Sequence, residues 1–210
     1  MTRIVIADDH AVVRKGLRLI LADAEGIEIA GEAASADELL TFLRSGRADA
    51  VILDLVLGDR DGIEVLKHIR SEFPSMPVLI ISMHAEDIFA IRALRAGADG
   101  YVQKSVPPET LLEAVRRVAT GETYMSPTIA GRLKAGLSRG DGRSLPHEQL
   151  SDREFEVFRL LGSGKSVTEI AHALNLSVKT VSTHRTRILA KTGFGTNAEI
   201  VDYVTLNGLR

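Results

Sequence analysis

Over the first 120 residues, short apolar runs alternate with amphipathic segments: RIVIA, IEIAGE, DAVILDL, MPVLIISM and GYVQK stand apart from stretches with helical spacing. Runs that short and that continuously apolar predict strands covered on both faces. The segments between them, Val12 to Ala22, Ala36 to Arg44, Gly62 to Glu72, Ile88 to Ala96 and Pro108 to Thr120, predict helices. Five βα units in succession predict a flavodoxin-like (βα)5 domain over residues 1–121, a doubly wound parallel sheet that receives ligands beyond the carboxyl ends of its strands.

After Gly121 the pattern changes. A helical piece from Pro127 to Leu137 precedes SRGDGRSLPHEQ, whose glycine, serine and charge predict a linker over 122–149. From Leu150 to Arg210 only helical spacing remains, in four segments. Ser151 with Glu154, and Ser166 with Glu169, are capping boxes, and Ser177 caps a third helix running to about Thr192. Two short helices joined by a turn at Asn175-Leu176-Ser177 predict a helix-turn-helix, so the chain reads as α/β plus all-α. The GSGKS at Gly162 to Ser166 looks like a phosphate-binding loop, but that motif needs glycine where Arg159 stands, and a strand where a helix precedes. Gly162 and Gly164 are therefore read as helix stop and turn.

Charge sharpens the division. Residues 1–121 carry 19 acids against 14 bases, and residues 122–210 carry 9 against 12, so the second part is the more tolerant of polyanions. The absence of cysteine excludes disulfides, thiolate metal sites and thiol nucleophiles. Two acids by residue 9 exclude a secretory leader, and no apolar run approaches the roughly 20 residues of a membrane helix, so a soluble, cytoplasmic protein is expected.

The strand assignment places Asp8 and Asp9 after the first strand, Asp54 at the end of the third, Ser82 of the fourth and Lys104 of the fifth. Alone, Asp8-Asp9 reads as a loop or helix cap, Ser82 as structural and Lys104 as a solvated lysine, whereas a carboxylate such as Asp54 is costly inside an apolar run. Parallel strands bring all five to one edge. Three crowded carboxylates raise one another's pKa unless a cation sits among them, and hard oxygen donors suit Mg2+. Such a site is arranged to hold phosphoryl oxygens.

Projected at about 100° per residue, the third C-terminal helix turns Val178, Val181, Ile188 and Leu189 toward a core. Lys179, Thr183, Thr186, Arg187 and Ala190 face the other way, with Ser182 at the margin. Four Lys or Arg and no acid lie between Ser177 and Lys191, which suits a recognition helix in the major groove as well as it suits a solvated charged face. The six histidines, His10, His68, His84, His147, His172 and His184, show no metal-ligand spacing.

On Asp8, Asp9, Asp54, Ser82 and Lys104, residues 1–121 resemble the receiver domain of a two-component response regulator. The resemblance implies that Asp54 is the phosphoacceptor, taking a phosphoryl group from a partner histidine kinase. It implies that Asp8, Asp9, Asp54 and the Val56 backbone carbonyl hold Mg2+, that Lys104 pairs with the phosphoryl group, and that Ser82 and Tyr101 turn inward as a switch. LVLGDRDG departs from the family in placing Leu57 and Gly58 where Met-Pro is usual, and Gly58 can still make the turn.

LSxREFEV, Gly164, Glu169-Ile170-Ala171, Leu174, Leu176-Ser177, Lys179-Thr180-Val181, His184, Ile188, Lys191, Gly193 and Glu199 resemble the LuxR-type helix-turn-helix of the NarL/FixJ family. That resemblance implies a DNA-binding regulator rather than an enzyme, with Asp54 losing its phosphoryl group by slow autodephosphorylation. DNA contacts are expected from Lys179, Thr180, Ser182, Thr183, Arg185, Thr186, Arg187 and Lys191. Ser182 replaces a common lysine, so the target sequence does not carry over. A homodimer contact is expected at Ile200 and Val204, and the partners implied are a histidine kinase, a double-stranded operator, a second copy and RNA polymerase. Two other readings stay open. A phosphohydrolase of the haloacid-dehalogenase type needs a second aspartate where Val56 stands, and a phosphate-independent regulator would leave the acid cluster without a role.

Overall fold

The computed structural model describes all residues except 23, 59, 84–85, 132–144 and 210, with the side chains of 86–88 and 152 also outside the description. The chain divides into two compact units between residues 140 and 141.

In the first unit, β1 (Thr2–Ala7), β2 (Ile27–Ala33), β3 (Ala50–Asp54), β4 (Val78–Ser82) and β5 (Gly100–Gln103) form one parallel sheet in the order β2-β1-β3-β4-β5. Helices α1 (Ala11–Ala22), α2 (Ala36–Arg44), α3 (Gly62–Glu72), α4 (Glu86–Arg95) and α5 (Pro108–Ala119) connect them. This is the doubly wound flavodoxin-like order expected from the sequence. β3 and β4 are buried at every position, as strands with both faces covered must be. Ile4, Ile6, Ile52, Leu79 and Ile81 form one face's core with Leu17 and Leu21 of α1 and Leu111, Ala114 and Val115 of α5. Register then aligns the strand ends: Ala7 pairs with Leu53, Asp54 with Ile81, and Ser82 with Gln103.

A small element went unpredicted. Val56–Leu57 pairs antiparallel with Arg60–Asp61 in a hairpin, with Gly58 at φ +65 in the turn. Two-residue strands are too short to leave a period in the sequence. Gly58 makes the turn expected of it, since positive φ is open to glycine at little cost.

The second unit holds α6 (Asp152–Gly162), α7 (Val167–Ala173), α8 (Val178–Thr192) and α9 (Asn197–Leu206). Both capping boxes form, and the hydroxyls of Ser177 and Thr196 accept from Thr180 N and Glu199 N to start α8 and α9. Asn175 adopts φ 54 in the turn between α7 and α8, and Gly164 adopts φ +81 after α6. Gly162 has a second role: a Cβ there would lie 2.4 Å from Val204 Cγ2, so its size lets α6 and α9 pack.

The expected linker belongs partly to each unit. Tyr124 joins the receiver-side core and its N–H donates to Asp99 O. Residues 127–131 are helical, and the rest of the Pro127 to Leu137 helix lies outside the described residues. A 3-10 turn at Pro146–Gln149 carries His147, whose Nδ1 lies 2.8 Å from Tyr203 Oη and whose ring packs against Phe155.

Candidate functional site

Each side chain at the sheet edge is aimed by a strand terminus. The N–H of Asp8 donates to Ala33 O, Leu55 N–H to Ile81 O, and Lys104 N–H to Ser82 O at 2.7 Å, so the loops leave the sheet from fixed points. Asp8 is 0% exposed, Asp54 4% and Ser82 1%. Lys104 Nζ lies 2.6 Å from Asp54 Oδ2 and 2.6 Å from Asp8 Oδ2. The Asp54 contact is a hydrogen bond, whereas Asp8 Oδ2 is held as an ion pair and has no hydrogen-bond partner among the described residues. Arg14 donates to the Asp8 carbonyl and to Glu32, tying α1 to the same edge.

Burial pushes the Asp54 carboxyl up to about 6, and Asp8 adds to that, while Lys104 and the Val56 N–H pull it down. For Lys104, burial opposes the charge, but Asp54 and Asp8 more than offset it and the ammonium's pKa is raised. The arrangement holds the Lys104 ammonium against a carboxylate whose charge burial disfavours.

Ligand atoms of Asp8, Asp9, His10 and Asp54 all lie within 4.8 Å of one another. The carboxylates are hard donors, and Asp8 Oδ2, buried and off hydrogen-bond geometry, is an oxygen that a divalent cation would satisfy, so the residues fit Mg2+. His10 is a member of this group that the spacing of the histidines did not reveal. Its Nδ1 lies 2.7 Å from Asp9 Oδ1, and its N–H donates to Asp8 Oδ1. Gly62 was also missed as a site residue. A Cβ there would lie 2.5 Å from Asp54 O and 2.6 Å from Leu55 O, and its own N–H donates to Leu55 O, so only glycine lets α3 start this close to the acceptor strand. Tyr101 is buried at 1% exposure.

In the second unit, Lys179, Ser182, Thr183, Thr186, Arg187 and Ala190 are exposed along α8, as the helical projection expected, and Thr180 is exposed with them. Val181 and Ile188 are buried and Leu189 half-buried, but Val178 is 50% exposed and so does not face the core. It is the first residue of α8. Two cations are already engaged. Arg185 Nε donates to Asn197 Oδ1 at 2.7 Å, and Lys191 Nζ lies 2.6 Å from Oε2 of Glu154, a carboxylate 3% exposed that also closes the Ser151 capping box. Their first role is to bind α8 to α9 and α6. Ile200 and Val204 are fully buried within the unit, so the dimer contact expected of them has no surface to use. Along α9, Ala198, Asp202, Thr205 and Leu206 are the exposed side, and Leu206, at 85%, is not core. His184 is half-buried with Nδ1 lacking a hydrogen-bond partner among the described residues, and burial lowers its pKa. His84 lies outside the described residues.

No helix among the described residues is long and apolar enough to cross a membrane. Residues 4–116 match the response regulator receiver domain, and residues 148–204 match the bacterial regulatory proteins of the luxR family. The chain is 31% identical over 209 residues to the response regulator GacA of Pseudomonas aeruginosa, covering 100% of this chain and 98% of the relative. It is 29% identical over 209 residues to the response regulator UvrY of Escherichia coli, covering 100% and 96%. Among solved structures, RcsB from Salmonella enterica serovar Typhimurium, bound to promoter rprA in the presence of the phosphomimetic BeF3-, matches with TM-score 0.61 and 29% identity over 97% of this chain and 98% of that one. With both units matched in order and the acid edge and recognition helix in place, the chain belongs to the response regulators of NarL/FixJ type, a receiver domain followed by a LuxR-type DNA-binding domain.

Proposed function

We propose that the receiver accepts a phosphoryl group on Asp54 from a partner histidine kinase and that this modification controls binding of the LuxR-type domain to an operator. The observation that carries the reading is the Asp54 carboxylate, buried at the end of β3 yet clustered with Asp8 and Asp9 and salt-bridged to Lys104 at 2.6 Å. An apolar sheet does not retain three carboxylates and an ammonium at one edge for stability, because replacing buried charge by packed hydrocarbon is often neutral or better.

In the transfer, an Asp54 carboxylate oxygen attacks the phosphorus of a phosphohistidine. The P–N bond breaks with its electron pair leaving on the imidazole, and an acyl phosphate forms. Asp8, Asp9 and Asp54, with the Val56 carbonyl, would hold Mg2+, whose charge neutralises phosphoryl oxygens when bound. Lys104 exchanges an Asp54 oxygen for a phosphoryl oxygen, and Ser82 and Tyr101 report the change to the surface of α4 and β5. Water slowly cleaves the acyl phosphate, returning the site to its starting state. Val56 leaves the site without the second acid that a turnover phosphohydrolase would use.

In the DNA-binding domain, α8 enters the major groove of double-stranded DNA and a second copy occupies the other half-site, with the exposed side of α9 as the contact in place of Ile200 and Val204. Such a protein works in the cytoplasm, where kinase, operator and RNA polymerase are accessible. The test is intact mass after incubation with acetyl phosphate, with and without Mg2+. A single phosphoryl adduct on the wild type and none on Asp54→Ala supports the reading. An adduct that survives Asp54→Ala overturns the assignment of Asp54.

A further inference from the structure

The outward face of α8 carries methyl groups between its cations, on Val178, Thr183 and Thr186. Val178, half exposed at the first helical position, begins an i, i+4 row continued by Ser182 and Thr186. Thr183 Oγ1 donates to Lys179 O at 3.0 Å, and Thr186 Oγ1 donates to Ser182 O at 3.1 Å. A hydroxyl has one proton, so each of these threonines, with its proton spent on its own helix, turns a γ-methyl and oxygen lone pairs outward. Of the four cations on α8, Arg185 is held by Asn197 and Lys191 by Glu154. Lys179 and Arg187 remain on the exposed surface, outside the hydrogen bonds and ion pairs found among the described residues.

Guanine is read in the major groove by a bidentate Arg or Lys, and adenine by Asn or Gln. Neither Asn nor Gln occurs in α8, and the row Val178, Ser182, Thr186 carries no long donor. What methyl groups read in that groove is the 5-methyl of thymine. Resting on the reading of α8 as the recognition helix, we infer that this chain selects its half-site by apolar contact with thymine methyl groups, through Val178 and the γ-methyls of Thr183 and Thr186. Lys179 and Arg187 then contact phosphates, which fixes the helix in the groove without reading sequence.

The experiment uses the full chain, treated with acetyl phosphate and Mg2+, to select duplexes from a random-sequence pool. Thymines of the selected half-site are then replaced one at a time by deoxyuridine, which keeps base pairing and removes only the methyl group. At two or more thymines the wild type is expected to lose about three- to five-fold in affinity per methyl removed. Val178→Ala should lose the deoxyuridine effect at one of those positions, and Thr186→Ser and Thr183→Ser, which keep the hydroxyl, at others. Selected sites whose deoxyuridine forms bind as tightly as the thymine forms overturn the inference while leaving DNA binding intact. Retention of no duplex at all overturns both.

Discussion

The receiver edge and the recognition helix both gather charge and hydroxyl groups, but they hold them in opposite ways. At the edge, Asp8, Asp54 and Ser82 are buried at the ends of apolar strands, and Lys104 locks both carboxylates, so the array is rigid and costly to desolvate. On α8, Lys179, Ser182, Thr183, Thr186 and Arg187 stand in solvent on a helix anchored from behind by Val181, Ile188, the Arg185–Asn197 hydrogen bond and the Lys191–Glu154 pair. The first arrangement suits chemistry, which needs reacting groups fixed to a fraction of an ångström. The second suits recognition, where the partner supplies the other half of each contact, and it lets the two functions vary independently in one chain.

The contrast predicts where single changes are absolute and where they are graded. Asp54→Ala should abolish the phosphoryl adduct and all phosphate-stimulated DNA binding in a gel shift, while leaving basal binding in place. Stimulation that survives would mean the two units are not coupled through this site. Gly62→Ala comes next, because its Cβ would meet backbone oxygens that cannot yield. It should destabilise the receiver by about 1–3 kcal/mol in urea unfolding and slow phosphorylation, where a helix-favouring substitution elsewhere would stabilise. In the second unit, Glu154→Ala removes the partner of Lys191 and the acceptor of the Ser151 N–H together. Since Lys191 is partly solvated, the cost should be about 1–3 kcal/mol, read as a lower unfolding midpoint of the helical unit with receiver phosphorylation unchanged.

The same contrast explains what the sequence could and could not disclose. Asp54 in AVILD stands out because an apolar strand gives a carboxylate no reason to be there, and the strand order then brings Asp8, Ser82 and Lys104 to it. Gly62 and His10 escaped because their importance is a matter of approach distance, which no periodicity encodes. On α8, the helical period identified the exposed face but misplaced Val178, since a helix's first turn can project past its neighbours. Ile200 and Val204 were equally misleading on α9. An apolar residue reads the same whether it fills a core or waits for a partner, and burial alone showed that both fill the core. Lys191 and Arg185 were legible as cations, but only the folded unit shows that Glu154 and Asn197 already engage them.

The smallest expected effect separates the units by the sign of their response to pH. Asp54, raised by burial to about 6, binds its proton more tightly folded than unfolded. Its contribution to receiver stability is fully present below the unfolded value near 3.8 and is lost as pH rises through about 6. His184 is shifted the other way, because burial lowers its pKa from 6.5 and its Nδ1 has no hydrogen-bond partner among the described residues. The unfolded chain then binds the proton first, so the helical unit loses stability as pH falls below 6.5. Raising the pH from 5 to 7 should therefore weaken the receiver relative to Asp54→Asn and strengthen the DNA-binding unit relative to His184→Gln. Calorimetric scans of the full chain across that range, at constant ionic strength and without divalent cation, would show the two differences moving in opposite directions. Differences of the same sign would mean that one group is solvated in a way its burial does not imply. The receiver difference should be the larger, because a half-buried His184 ring recovers water that a carboxylate sealed between β3 and Lys104 does not.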